Sequence, residues 1–121
     1  MKQYRGENMK IAILVNEDTA NRCTGSGCLR AFFSKVDAFE GCPNDAELIG
    51  FTHVGGELDK KINRLIEKGV DTIHLSSCIR SKYASYESLA NRLSEHFNVV
   101  GYTHGKSQGK TTETVSIKKR V

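Results

Sequence analysis

The sequence predicts a single three-layer α/β domain with a mostly parallel sheet of about four strands and flanking helices. Short apolar runs alternate with segments whose apolar residues recur at helical spacing, which is typical of repeated βα units. The 121 residues suffice for one domain with its own core. Hydrophobic residues (38%) and charged residues (26%) occur in the proportions of an ordinary globular protein.

Four apolar runs are predicted to form the strands, near residues 10–15, 47–52, 71–76 and 98–103. Each run is short and nearly continuous, as expected for a strand covered on both faces. Residues 114–117 fit either a short edge strand or a frayed tail. Residues 1–8 carry no pattern, so we expect an unpatterned N-terminal extension followed by a domain over residues 9–121.

Three helices are predicted to connect these strands, over about residues 28–36, 57–68 and 85–97. Each has apolar residues three or four positions apart, which places them on one face of a helix. The three apolar stripes are Leu29, Phe32, Phe33 and Val36; Leu58, Ile62, Leu65 and Ile66; and Tyr86, Leu89, Ala90, Leu93 and Phe97.

Composition argues against several classes of function. The longest apolar run is far too short to cross a bilayer, and no leader pattern is seen, so we expect a cytoplasmic protein without a membrane partner. The net charge of +4 is modest and dispersed, so nucleic acid is not an expected partner. The basic residues near the C-terminus are interpreted as solvated surface: Lys106, Lys110, Lys118, Lys119 and Arg120.

Potential metal ligands follow three of the predicted strands. Cys23 and Cys28 lie in a glycine-bearing, cysteine-rich loop after the first strand, His53 ends the second, and Cys78 follows the third. The carboxyl ends of parallel strands meet at one edge of a sheet, where ligands usually bind. We therefore predict that these four side chains converge on a transition metal. Zinc is the expected metal because Cys and His are its preferred ligands, with iron and copper as alternatives.

The remaining thiol and imidazole groups have other interpretations. His104, at the end of the fourth strand, is a candidate outer or fifth group, whereas His74 is expected in the core. Cys42 precedes the second strand at the opposite edge and is interpreted as a spare surface thiol. Cys78 could itself be simple core, since free Cys often behaves as a small hydrophobe. The oligomeric state is left open.

A second interpretation is a thiolate-based enzyme or redox protein that uses Cys23 and Cys28. A thiol near a helix N-terminus can be activated as a nucleophile, and Arg30 or the helix could bind an anionic small-molecule substrate. The loop is similar to that of low-molecular-weight tyrosine phosphatases. However, Leu29 intervenes before the arginine and turns it by about 100° around the helix.

Taken together, several segments resemble the CGGC domain family: the strand from Met9, the loop with Cys23 and Cys28, residues 35–39 and 47–52, and the run from His74 to Cys78. The resemblance covers nearly the whole chain after Met9. It implies a small α/β protein that binds a metal, with zinc expected. The chain departs from the family pattern at the central Cys-Gly-Gly-Cys, where it has His53-Val54-Gly55-Gly56.

Overall fold

Five strands form one sheet in the computed structural model, which describes residues 9–105 and 114–119 except the side chains of 81 and 82. The strands are β1 (Lys10–Val15), β2 (Glu47–His53), β3 (Thr72–Leu75), β4 (Asn98–Val100) and β5 (Ser116–Ile117). The helices are α1 (Glu17–Ala20), α2 (Ser26–Ser34), α3 (Leu58–Glu67), α4 (Ser77–Lys82) and α5 (Tyr86–Leu93), with a 3₁₀ turn over Asp37–Phe39. The predicted α/β class is confirmed.

The strand order is β2-β1-β3-β4-β5. The first four strands run parallel, and β5 pairs antiparallel with β4. The chain leaves β1 for β2 on one side, then returns to place β3 on the other side of β1. This reversal makes the carboxyl ends of β1 and β3 the topological switch point, where open α/β sheets leave a crevice.

Alternate residues of β1 enter two separate hydrophobic clusters, one on each face of the sheet. Ala12 and Leu14 pack with residues of α3 and α5, whereas Ile11, Ile13 and Val15 pack against α2. Strand β1 is therefore covered on both faces, which explains its unbroken apolar sequence. The α2 face is the one that carries the cysteine loop.

The first predicted helix is displaced towards the N-terminus. Helix α2 ends at Ser34 because Lys35 adopts a left-handed conformation (φ 57°). The predicted apolar stripe is wrong at Phe33 and Val36, which are 68% and 37% exposed. Val36 lies beyond the helix, and Phe33 instead packs edge-on against the ring of Phe32.

The segment after β3 differs most from the prediction. Helix α4 follows β3 directly and was not predicted, while α5 ends at Leu93 although the predicted stripe continues to Phe97. Phe97 is nevertheless fully buried. Strand β4 is shorter than predicted because the chain turns at Gly101, whose carbonyl accepts a hydrogen bond from the Tyr86 hydroxyl at 2.9 Å.

No helix among the described residues is long and apolar enough to span a bilayer. The N-terminal extension over residues 1–8 lies outside the described part of the chain, as do Lys106, Lys110 and Arg120.

Candidate functional site

A cavity of about 450 Å³ lies at the switch point, on the sheet face covered by α2. Its lining includes Val15 at the end of β1, Ser76 just after β3 and Phe51 of β2. Its lining residues are Val15, Thr19, Ala20, Cys23, Gly25, Cys28, Phe51, Ser76, Ser77, Cys78, Arg80 and His104. Three of the four predicted ligands thus share one cavity.

The cysteine loop is shaped by Gly25. This residue has φ +79° and lies against the ring of Phe51, so close that an added Cβ would be 2.6 Å from the ring. A side chain here would meet both backbone strain and a steric clash. Helix α2 starts immediately afterwards, so Cys28 lies in its first turn and points into the protein, where it is only 5% exposed.

Cys28 is the most buried of the three cavity thiols. Its Sγ lies 3.2 Å from the Thr103 hydroxyl oxygen, with which it shares a hydrogen bond. Burial raises the pKa of the Cys28 thiol above its ordinary value, the Thr103 bond lowers it, and the nearby Cys78 and Cys23 raise it further. Without a cation beside it, Cys28 is therefore a neutral thiol near pH 7.

Cys78 is held at the start of α4 by two hydrogen-bonding groups. Its Sγ accepts the backbone N–H of Asn16 at 3.4 Å and shares a hydrogen bond with the Ser76 hydroxyl at 2.7 Å. Asn16 follows β1, and Ser76 follows β3. The sulfur is therefore tied to the ends of both strands that form the switch point.

Cys23 belongs to the exposed rim of the cavity. Its Sγ accepts the N–H of Gly25 at 3.3 Å, a bond within the loop itself. All four cysteines are free thiols. The fourth, Cys42, is half-buried rather than a surface thiol, and its Sγ lies 3.9 Å from the sulfur of Met9, outside the cavity lining.

His53 lies on the correct face of the sheet but not in the cavity wall. It pairs in register with Val15, and paired residues of parallel strands point to the same side. However, its Nδ1 accepts the N–H of Gly55 at 3.0 Å. A neutral imidazole that accepts at Nδ1 carries its proton on Nε2, so neither nitrogen has a free lone pair in this arrangement.

The chemistry of the predicted ligand side chains suits a soft metal ion. Three thiols lie on one cavity, and thiolates are preferred ligands of zinc, copper(I) and iron–sulfur clusters. Within residues 9–105 and 114–119, no three His, Cys, Asp or Glu side chains are already arranged to hold an ion. Metal binding therefore requires the thiol side chains to turn towards a common point, and His53 to give up its bond to Gly55.

His104 is also part of the cavity. Its ring lies beside Gly27, where an added Cβ would be 3.2 Å from Nε2. Its carbonyl accepts a hydrogen bond from the Ser77 hydroxyl at 2.7 Å, which ties the segment after β4 to the start of α4. His74, by contrast, is 4% exposed, and its Nδ1 lies 3.1 Å from the Tyr102 carbonyl oxygen, in the core as expected.

Sequence reasoning missed Arg80 and Phe51 as cavity residues. Arg80 comes from the unpredicted α4, two positions after Cys78, and its Nη1 donates to the Thr114 hydroxyl. The arginine favoured from the sequence, Arg30, is exposed and is not among the lining residues. For Phe51, the available signal was the alternation along β2, which puts it on the same face as His53.

Comparison with known proteins gives one match. The model of the CGGC domain matches residues 10–104, which include all of the cavity-lining residues. No curated protein and no solved structure matches the chain. Because the match covers most of the sequence, the chain belongs to the CGGC domain family.

Proposed function

We propose that this protein binds one transition metal ion, zinc by preference, at the switch-point cavity. The observation that carries the proposal is the meeting of Cys23, Cys28 and Cys78, which come from two separate segments, on one cavity. Membership of the CGGC domain family supports metal binding as the class of function. The four free thiols fit a reducing compartment, and the proposal includes a cytoplasmic location.

The surroundings of the sulfurs suit thiolate ligands. The backbone N–H groups of Asn16 and Gly25 already point at Cys78 and Cys23, and such outer hydrogen bonds stabilise and orient metal-bound thiolates. Cys28 needs a nearby metal ion in order to ionise near pH 7, because burial raises the pKa of its thiol. A cation at this point would offset that burial and favour the thiolate.

His53 is the proposed fourth protein ligand. To ligate, its ring must release the Gly55 N–H and present a free nitrogen towards the end of β1, on whose side it already lies. With four protein ligands the metal would be structural. With three it would have an open position, where a metal ion supplies Lewis acidity.

Metal analysis tests the proposal. Protein purified without chelator is expected to contain one zinc per chain, and cobalt(II) substitution should give the intense sulfur-to-metal absorption of thiolate ligation. The Cys28→Ser and Cys78→Ser variants should bind zinc at least about 100-fold more weakly, because losing a ligand costs more than losing an outer partner.

Cys42→Ser is the matched control, since Cys42 is a thiol outside the cavity. It should retain wild-type affinity. Equal zinc binding by all three variants, or a wild-type chain that folds and binds neither zinc nor cobalt, would remove the proposal.

A second candidate function is thiolate chemistry at Cys23, with Cys28 as its partner. The favouring observation is that Cys23 is exposed at the cavity rim and receives the N–H of Gly25. Such an enzyme should react rapidly with iodoacetamide at about pH 6 to 7 in its metal-free form. Alkylation of Cys23 at the rate of a free cysteine peptide would reject this function.

A further inference from the structure

Two imidazoles near the switch-point cavity, those of His53 and His104, differ in position and in availability. His104 lines the cavity together with the three thiols, and His53 is not among the lining residues. The ring of His53 is also occupied, because its Nδ1 accepts the N–H of Gly55 at 3.0 Å. His53 therefore has to break a bond within the protein before it can bind a metal ion.

The ring of His104 is under no such restraint. Within residues 9–105 and 114–119, neither of its ring nitrogens has a hydrogen-bond partner. The hydrogen bonds of this residue are made by its backbone, with the Ser77 hydroxyl in each case. A neutral imidazole has one nitrogen with a lone pair, and that nitrogen is the one that binds metals. His104 can offer it without losing a bond to another part of the described chain.

The imidazole of His104 lies beside the first turn of α2, which carries Cys28. An added Cβ at Gly27 would be 3.2 Å from Nε2 of His104 and 3.3 Å from its Cδ2. Gly27 directly precedes Cys28 in the chain. The absence of a side chain at Gly27 therefore lets the imidazole come close to the segment that bears the buried thiol.

Two hydroxyl groups hold the backbone around His104 between two of the thiols. The Thr103 hydroxyl shares its 3.2 Å hydrogen bond with the Sγ of Cys28. The Ser77 hydroxyl, next to Cys78 at the start of α4, donates to the His104 carbonyl at 2.7 Å and accepts the His104 N–H at 3.4 Å. The backbone of His104 is thus fixed relative to both thiol-bearing segments. Rotation of its side chain alone can change where the imidazole points.

We infer that His104 is a ligand of the metal and takes the fourth position while His53 keeps its bond to Gly55. Three cysteines and one histidine are a usual ligand set of four-coordinate zinc. This assignment rests on the proposed metal site and concerns only its fourth ligand. It can therefore fail while the three cysteines still bind zinc.

Nuclear magnetic resonance of the full chain, labelled with ¹⁵N-histidine, tests the assignment. The chain has four histidines, and long-range ¹H–¹⁵N spectra report on every ring: His53, His74, His96 and His104. Loading with ¹¹³Cd in place of zinc should add a metal–nitrogen coupling to one ring nitrogen of His104 and to none of His53. Such a coupling requires a direct bond, so it separates a ligand from an outer partner.

Single variants assign the signals and measure the effect on affinity. His104→Asn should remove the coupled signal and weaken zinc binding at least about 100-fold, because losing a ligand costs more than losing an outer partner. His53→Asn should keep both the coupling and the affinity. The matched control is His96→Asn, since His96 is exposed and outside the cavity lining, and it should behave as wild type. The wild-type coupling decides the question even where His104→Asn is unstable.

Three results would overturn the assignment. A coupling to a nitrogen of His53 alone, or a cadmium-loaded chain with thiolate absorption and no coupled imidazole, would reject His104 and leave the metal proposal standing. Wild-type zinc affinity in a folded His104→Asn variant would do the same. A chain that binds neither zinc nor cadmium would overturn the assignment and the metal proposal together.

Discussion

Replacement of Gly25 by alanine should destabilise the protein and deform the cysteine loop more than the same change at Gly41. Both glycines have φ near +80°, but an added Cβ at Gly25 would be 2.6 Å from the Phe51 ring, whereas none of the described atoms lies within 4 Å at Gly41. Gly41→Ala therefore measures the cost of the left-handed backbone alone, about 1–2 kcal/mol.

The contact with Phe51 adds a second contribution for Gly25→Ala. Overpacking costs about 1–3 kcal/mol in general, and the lower end applies here because Phe51 is 38% exposed and its ring can tilt towards solvent. The expected total is about 2–3 kcal/mol. For a chain of this size, about 1 kcal/mol lowers Tm by about 4 °C. Gly25→Ala should thus melt about 8–12 °C below wild type, and Gly41→Ala about 4–8 °C below it.

Thermal melting and urea unfolding of the two variants measure these differences. In a Phe51→Ala background the clash is absent, so Gly25→Ala should then cost no more than Gly41→Ala. Metal affinity should fall in Gly25→Ala and not in Gly41→Ala. Only Gly25 lies in the cysteine loop, where its N–H donates to the Sγ of Cys23. Equal melting of the two single variants would refute the reasoning from the Phe51 contact.

The remaining predictions concern His74, Cys28 and His53. Burial lowers the pKa of His74 to about 4, so the folded state resists protonation that the unfolded chain accepts below about pH 6.5. The free energy of unfolding should therefore fall by about 2 kcal/mol between pH 7 and pH 5, measured by urea unfolding, and a His74→Phe variant should lack this part of the fall. Zinc affinity should weaken as the pH falls, because each thiol must lose a proton, and burial of Cys28 extends the effect to higher pH. Competition titrations from pH 6 to 9 should show this slope, and a pH-independent affinity would contradict thiolate ligation. His53→Asn should weaken zinc binding and change the cobalt(II) spectrum if His53 is the fourth ligand, while an unchanged spectrum would exclude it.

Much of the fold could be predicted because burial leaves a periodic signal. The continuous run of β1 reflects a strand covered on both faces, and the stripe of α5 is buried as its spacing predicts. The helix ends could not be predicted from periodicity, since the left-handed conformation of Lys35 stops α2 before Val36. The short α4 carries too few turns to give a helical pattern.

The part of the candidate site that could be predicted is the set of residues placed by the ends of the strands. Parallel strands bring their carboxyl ends together, so the positions of Cys28 and Cys78 on one cavity follow from strand assignment. The local bond between His53 and Gly55 could not be foreseen, because it depends on the conformation of a tight turn. Arg80 was missed for the same reason that α4 was missed.

X-ray absorption at the zinc edge is the decisive test of thiolate ligation at the cavity, because it counts the atoms bound to the metal. We expect three sulfur atoms at about 2.3 Å in the wild-type protein and two in Cys28→Ser or Cys78→Ser. We also expect an unchanged spectrum in Cys42→Ser. A shell made only of nitrogen and oxygen, or a sulfur count that does not change when Cys28 or Cys78 is replaced, would contradict thiolate ligation at the cavity.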